Sequence, residues 1–308
     1  MTERPPALTG VFPVAPTVFH DDESLDLDGQ DRVVDFLVDA GADAVCVLAN
    51  YSEQFSLTGE ERDLVAERVL TRAAGRLPVI VTTSHFSARV AAARSRRAQE
   101  MGAAMVMLMP PYHGATLSVA YPEVRAFFHT VAEAVDIPIM VQDAPMSPTR
   151  LSAAELVALA REIPRVTHVK AEMPGAAEKL RAVIAGAGDA LPGPCDGEES
   201  VTLLPDLDAG AVGTMPSCTL PDVLVRVVRA YRSGDRDTAV DLWERHLPLI
   251  HYENRQCGLR AAKALMREGG IIASDATRAP LSPLPEQTRA GLLEQAHRHN
   301  PLILHWAN

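Results

Sequence analysis

The sequence predicts an α/β protein: a (β/α)8 TIM barrel with a C-terminal helical extension. Three observations predict it. Eight short apolar runs rich in Val, Ile, Met and Ala alternate with longer amphipathic segments. The runs do not alternate in polarity, which is the pattern of parallel strands covered on both faces. The glycine fingerprint that usually follows the first strand of a doubly wound open sheet is absent, as is GxxxxGK[ST].

The runs lie at residues 12–18, 44–49, 78–83, 104–109, 138–141, 166–169, 190–193 and 211–215. Their starts are 32, 34, 26, 34, 28, 24 and 21 residues apart, the spacing of successive strand–helix units. The intervening segments carry helix punctuation. Thr58 with Glu61, and Ser152 with Glu155, each fit a capping box. Gly41 and Gly102 stand just past amphipathic stretches, where a left-handed C-cap is wanted. Within 30–40, Val33, Val34, Leu37 and Val38 share a face, with Asp31, Asp35 and Asp39 opposite. From about Leu220 the strands stop, and 220–232, 236–247, 254–267 and 286–298 read as helices. No linker of low complexity interrupts the chain. Residues 1–225 are therefore expected to form the barrel and 226–308 a helical extension packed on it, as a single compact unit.

A chain of 308 residues with 47% hydrophobic and 22% charged content is neither disordered nor fibrous. The charge sum is 29 − 40 = −11, with no basic run, which argues against a nucleic-acid partner. Arg89, Arg94, Arg96 and Arg97 read as the solvated face of a helix. Cys46, Cys195, Cys218 and Cys257 stand far apart without zinc spacing and read as buried, reduced thiols; no metal is expected. Met101, Met105, Met107 and Met109 read as core. The longest apolar stretch, 103–109, stops at Pro110, far short of the ~20 residues a membrane span needs. The first ten residues lack a basic segment followed by an apolar core, so a cytoplasmic location is expected and no membrane partner.

Active sites of such barrels lie at the C-terminal ends of the strands. The residues closing the runs include Asn50, Tyr51 and Ser52, then His85, Tyr112 and His113, then Gln142, Lys170, Glu172, Asp196 and Thr214. Lys170 stands out. Of 29 cationic residues, 26 are Arg and three are Lys: Lys170, Lys179 and Lys263. Arg stays protonated, whereas a Lys in an apolar setting can lose its proton and attack a carbonyl. Lys179 and Lys263 fall in helical segments and read as solvated or ion-paired. Lys170 closes a strand. From the residues alone it is either an imine-forming amine or the ion-pair partner of Glu172.

The whole chain resembles the dihydrodipicolinate synthase / N-acetylneuraminate lyase family, class I pyruvate-type lyases on a (β/α)8 barrel. Residues 10–17 (GVFPVAPT), Asp26 and Asp39-Ala-Gly-Ala-Asp43 carry the N-terminal pattern. Asn50-Tyr-Ser-Glu53 occupies the family's Thr-Thr-Gly-Glu turn. Pro110-Pro-Tyr112 and Ile137-Pro-Ile139 match as well, and Lys170 falls on the Schiff-base lysine. There are departures. The family's relay tyrosine in strand five is here Gln142, and an amide does not release and recover a proton at neutral pH. Cys195 stands where a Trp is expected, and Met215-Pro-Ser-Cys218 replaces a Gly-rich turn. A subgroup that dehydrates 2-keto-3-deoxy sugar acids shares residues 49–55, 110–116, 142–145 and 252–256 of this chain.

The resemblance implies an imine on Lys170, loss of a C3 proton, departure of the C4 hydroxyl as water, and a 2-oxoglutarate semialdehyde product from a five-carbon acid. It implies no metal or organic cofactor, a small keto-acid substrate as partner, and a homo-oligomer, tetramer or dimer. The Ser52 hydroxyl and the N–H groups of the Tyr51–Ser52 turn would meet the substrate carboxylate. Tyr51 is the leading candidate to replace the relay tyrosine, with His85, His113 and Glu172 as others. His113 takes the place of a residue the family uses across a subunit interface. Asn50, His85, Tyr112, His113, Gln142, Glu172, Asp196 and Thr214 are expected to contact substrate, and Cys195 and Cys218 to form pocket wall. An aldolase releasing pyruvate, or a barrel that binds a keto acid without turnover, are the alternatives.

Overall fold

Residues 7–307 are described in a computed structural model; most of the N-terminal stretch read above for a leader lies outside them. The strands are β1 (Gly10–Val11), β2 (Val45–Val47), β3 (Val79–Thr82), β4 (Met105–Leu108), β5 (Ile139–Asp143), β6 (Val166–Ala171), β7 (Gly193–Asp196) and β8 (Gly213–Thr214). They form one sheet in the order β1-β8-β7-β6-β5-β4-β3-β2, and β3 to β8 pair in parallel. Val14 bridges both Cys46 and Ser217 in parallel, so the first strand segment meets the second and the continuation of the eighth. This is the (β/α)8 barrel read from the sequence.

Seven helices follow the first seven strands: α1 (Leu27–Asp39), α2 (Gly59–Ala73), α3 (Ala88–Glu100), α4 (Tyr121–Ala132), α5 (Ala153–Glu162), α6 (Ala176–Ala187) and α7 (Leu203–Asp208). After β8 come α8 (Pro221–Arg232), α9 (Arg236–Tyr252), a π-helical turn (Glu253–Cys257), α10 (Arg260–Glu268) and α11 (Glu286–His299). Both capping boxes are formed, because a hydroxyl and a carboxylate three residues apart satisfy two N–H groups that the first turn leaves open. Gly41 and Gly102 have φ of 78° and 99°.

Four elements differ from their sequence reading, among them the expected helix 254–267, which is a π-helical turn (Glu253–Cys257) separated at Gly258 from α10 (Arg260–Glu268). The first run forms ladder bonds only at Gly10–Val11 and around Val14, since Pro13 and Pro16 have no N–H to donate. The seventh strand begins where the apolar run ends, at Gly193, and carries Pro194 and Cys195 onward to Asp196. Helix α9 continues through Pro248 to Tyr252, five residues past the expected stop at 247.

By contact density the described residues divide into two units, one of residues 7–9, 80–198 and 202–215, the other of residues 10–79, 199–201 and 216–307. In the first, alternate strand residues point to opposite faces. Met107, Met140 and His168 share one register level on the same face, with Gly193 opposite His168. His168 accepts the Leu8 N–H and contacts the Thr167 hydroxyl; burial pushes its pKa down to about 4, so the ring is neutral. A Cβ at residue 193 would lie 2.0 Å from that ring, so only glycine fits there. Met105, Met107 and Met109 are buried core, as expected. In the second unit, residues 10–15 exchange backbone bonds with 43–46, and helices α1, α2 and α8 to α11 complete it.

Candidate active site

Lys170 is the fifth of six residues in β6, paired across the ladder with Gln142 of β5 and Cys195 of β7. The three side chains therefore share a face. Lys170 is only 3% exposed. Its Nζ lies 2.9 Å from Glu172 Oε1, and the Gln142 amide donates to the same oxygen at 2.7 Å. The other end of the Gln142 amide, Oε1, is buried without a hydrogen-bond partner. A buried acceptor left open costs about 1–3 kcal/mol, so a donor supplied by a ligand would be held there. Burial keeps the neighbouring Cys195 thiol protonated, as pocket wall rather than nucleophile.

Gly197 gives this lysine its room. A Cβ at 197 would come within 2.6 Å of Lys170 Cγ, 2.8 Å of Glu172 Cγ and 2.9 Å of the Ala171 carbonyl oxygen. Gly197→Ala is expected to displace both side chains. Misplacement of about 1 Å costs roughly 100-fold in rate. The loss of stability is expected to be only about 1–3 kcal/mol. Turnover and urea unfolding measured together check this; a variant with unchanged turnover would contradict the packing.

Asp196 and Thr214 occupy a different place from the one expected of substrate contacts. The late start of β7 puts Asp196 inside the strand, in register with Ala171 and Thr214, one residue out of step with Lys170 and Cys195. It therefore faces the helix layer. Asp196 is fully buried and accepts the Thr214 hydroxyl; beside it, Asp206 of α7 accepts the Thr202 hydroxyl at 2.8 Å. Burial raises both carboxyls, and the Asp196 charge helps push Asp206 up to about 8. The pair ties β7 and β8 to α7.

This pair gives a pH dependence with a definite sign. Folded Asp206 keeps its proton to about pH 8, while the unfolded chain releases it near the ordinary value of 3.8. Over that interval the folded state binds more protons, so its stability falls as pH rises and levels off above about 8. Asp206→Asn, whose amide donates at every pH, is expected to flatten the slope between pH 5 and 9 in urea unfolding. Parallel curves for the two proteins would contradict the assignment.

The second unit holds Asn50, Tyr51 and Ser52. Asn50–Ser52 is a 3-10 turn, and Glu53 follows with φ of 55°. The Ser52 hydroxyl donates to the Ala15 carbonyl at 2.6 Å, the Ser52 N–H to the Ala49 carbonyl at 3.0 Å, and the Thr17 hydroxyl to the Ser52 carbonyl at 2.7 Å. Ser52 thus anchors the turn, and a substrate carboxylate reaching its hydroxyl must displace Ala15. Asn50 Oδ1 accepts from Gln54 Nε2 at 2.6 Å.

The remaining expected residues belong to the first unit. His85 is exposed, and its Nδ1 accepts the Ser87 N–H at 3.0 Å, at the start of α3. Tyr112 is half-buried, with its hydroxyl pKa raised by burial. His113 is exposed, 6.3 Å from the Phe86 ring and bridged to Leu117. Among the described residues, no group of three His, Cys, Asp or Glu could hold a metal ion, and no helix is long and apolar enough to cross a membrane.

Sequence reasoning missed two buried acids of the second unit. Glu53 pairs with Lys263. Glu253, in the π-helical turn, accepts the Ser217 hydroxyl, and burial pushes it up to about 7. The family turn Asn50-Tyr-Ser-Glu53 and the rarity of lysine were the available signals for the first; the 252–256 motif contained the second without marking it.

The sequence pattern of the Dihydrodipicolinate synthetase family matches residues 7–298. The chain belongs to this family. It is 54% identical over 303 residues, 98% of each chain, to an L-2-keto-3-deoxyarabonate dehydratase of Azospirillum brasilense. It is 30% identical to a 4-hydroxy-tetrahydrodipicolinate synthase of Sorangium cellulosum, over 94% of this chain and 96% of that one. Among solved family structures, the dihydrodipicolinate synthase of Rhodopseudomonas palustris superposes with a TM-score of 0.86 at 29% identity, covering 94% and 97% of the two chains. The family member YagE of E. coli K12, solved in complex with pyruvate, gives 0.87 at 26% identity, covering 95% and 98%.

Proposed function

We propose that this protein is a Schiff-base dehydratase of a 2-keto-3-deoxy sugar acid, with Lys170 as the amine and Glu172 as the group that moves protons. The observation that carries it is the buried pair: Lys170 Nζ lies 2.9 Å from a carboxylate oxygen that Gln142 holds in place. Glu172 fills the role that the sequence reading gave first to Tyr51.

The Lys170 amine attacks C2 of the substrate and water leaves, giving a protonated imine that acidifies C3. The Glu172 carboxylate takes a C3 proton and gives it to the C4 hydroxyl, which leaves as a second water. Loss of a C5 proton and return of a proton to C3 leave an enol at C4–C5. The enol tautomerises to an aldehyde, and hydrolysis of the imine, consuming one water, frees Lys170. The net change is loss of one water. The open Gln142 Oε1 suits a substrate hydroxyl as donor. By family position the Tyr51–Ser52 turn serves the substrate carboxylate.

The relative from Azospirillum brasilense supports 2-keto-3-deoxy-L-arabonate as the substrate, with 2-oxoglutarate semialdehyde as the product. The reading includes a cytoplasmic, cofactor-independent enzyme in pentose catabolism that assembles as a homo-oligomer. Exposed Phe86 and Leu117 flanking His113 support the last point. Mass analysis of products from five- and six-carbon 2-keto-3-deoxy acids tests the reaction. A semialdehyde one water lighter than the substrate is expected; pyruvate would instead mark carbon–carbon cleavage.

A further inference from the structure

Glu53 and Lys263 are 210 residues apart in sequence and meet inside the second unit. Glu53 is 2% exposed and Lys263 fully buried. The lysine head donates to Glu53 Oε1 and, at 2.8 Å, to the Ala276 carbonyl, and it stands 4.4 Å from the centre of the Phe19 ring. The second oxygen of Glu53 accepts the Arg278 N–H at 3.0 Å. Arg278 in turn holds Glu61 of α2 and stacks on Phe19. Both oxygens of one carboxylate are thus fixed by α10 and by residues 276–278.

That carboxylate belongs to the residue directly after Ser52, in a left-handed conformation between two 3-10 turns. On its other side the turn is held by Thr17 and Ala15. A buried ion pair is a poor source of net stability, since well-packed apolar residues often do as well or better. What two charges provide here is one fixed position. The cation must also be compact. A guanidinium is a larger planar fork than an ammonium, and the space is closed by the Phe19 ring. That accounts for a lysine here in a chain in which 26 of 29 cationic residues are arginine.

We propose that Lys263, acting through Glu53, is a positioning residue that sets the Tyr51–Ser52 turn for the carboxylate of a 2-keto acid. The proposal rests on the reading that this turn serves the substrate carboxylate and that Lys170 forms the imine. Pyruvate, the smallest 2-keto acid, is a suitable probe. Borohydride fixes bound pyruvate on Lys170, and the half-saturating pyruvate concentration reports carboxylate binding without turnover.

Lys263→Met is expected to raise that concentration at least ten-fold while labelling at saturation stays as in the parent protein. The double variant Glu53→Gln/Lys263→Met leaves no unpaired buried charge, so it keeps the test open should Lys263→Met alone fail to fold; it is expected to show the same rise. A folded variant whose half-saturation stays within two-fold of the parent overturns the proposal, as does a drop in saturated labelling with half-saturation unchanged. If the parent protein itself takes no label, the imine reading falls, and this proposal with it.

Discussion

Lys170→Arg is expected to keep the fold and abolish turnover. The substitution retains the positive charge opposite Glu172, so no buried carboxylate is left alone. Overpacking by the larger guanidinium is expected to cost about 1–3 kcal/mol. A guanidinium, however, stays protonated and forms no imine. Removing an enzyme nucleophile has cost on the order of a million-fold in rate. Circular dichroism should match the parent protein while the semialdehyde product disappears. Appreciable turnover by the arginine variant would rule out the amine as the reacting group.

Glu172→Gln is expected to separate the two halves of the mechanism. The amide keeps the volume and still meets Lys170 and Gln142, but it neither takes nor returns a proton. Imine formation should persist, and elimination should slow by about 10²–10⁴-fold, the usual scale for losing a general acid–base group. Single-turnover assays with borohydride quenching would show label accumulating on Lys170 while product release falls. A variant with unchanged elimination would return the proton-transfer role to Tyr51, His85 or His113.

What the sequence revealed follows the range of the forces involved. The capping boxes at Thr58 and Ser152 and the glycines at 41 and 102 were legible because their partners lie within four residues. Eight strands were legible because a parallel strand buried on both faces is apolar throughout. The seventh run was read as ending at Gly193, which put Asp196 beyond the strand at the mouth; the strand instead begins at Gly193 and includes Asp196, whose side chain faces α7. The stop at Pro248 failed for the opposite reason: tertiary packing carries α9 through a proline that propensity alone would make a terminus.

The site divides in the same way. Lys170, Gln142 and Glu172 were legible as neighbours because strand ends in a barrel converge by rule, whereas the hierarchy among proton carriers was not. The sequence favoured Tyr51; the 2.9 Å contact of Glu172 with the amine is what supports the carboxylate in the proposed mechanism. Lys263 was read from its helix as solvated or ion-paired, and the structure makes it ion-paired but fully buried. Its partner, 210 residues away, is joined to it only by the folded chain.

Only three lysines compete for a keto acid. Two of them are each held by a carboxylate and a backbone carbonyl, Lys179 by Asp143 and Leu151, Lys263 by Glu53 and Ala276. Borohydride reduction during turnover of 2-keto-3-deoxy-L-arabonate, followed by peptide mass mapping, therefore identifies the reacting amine among the three. One substrate-derived adduct on the Lys170 peptide is the result expected. Continued turnover with that peptide unmodified, or with the adduct on Lys179 or Lys263, would contradict the mechanism.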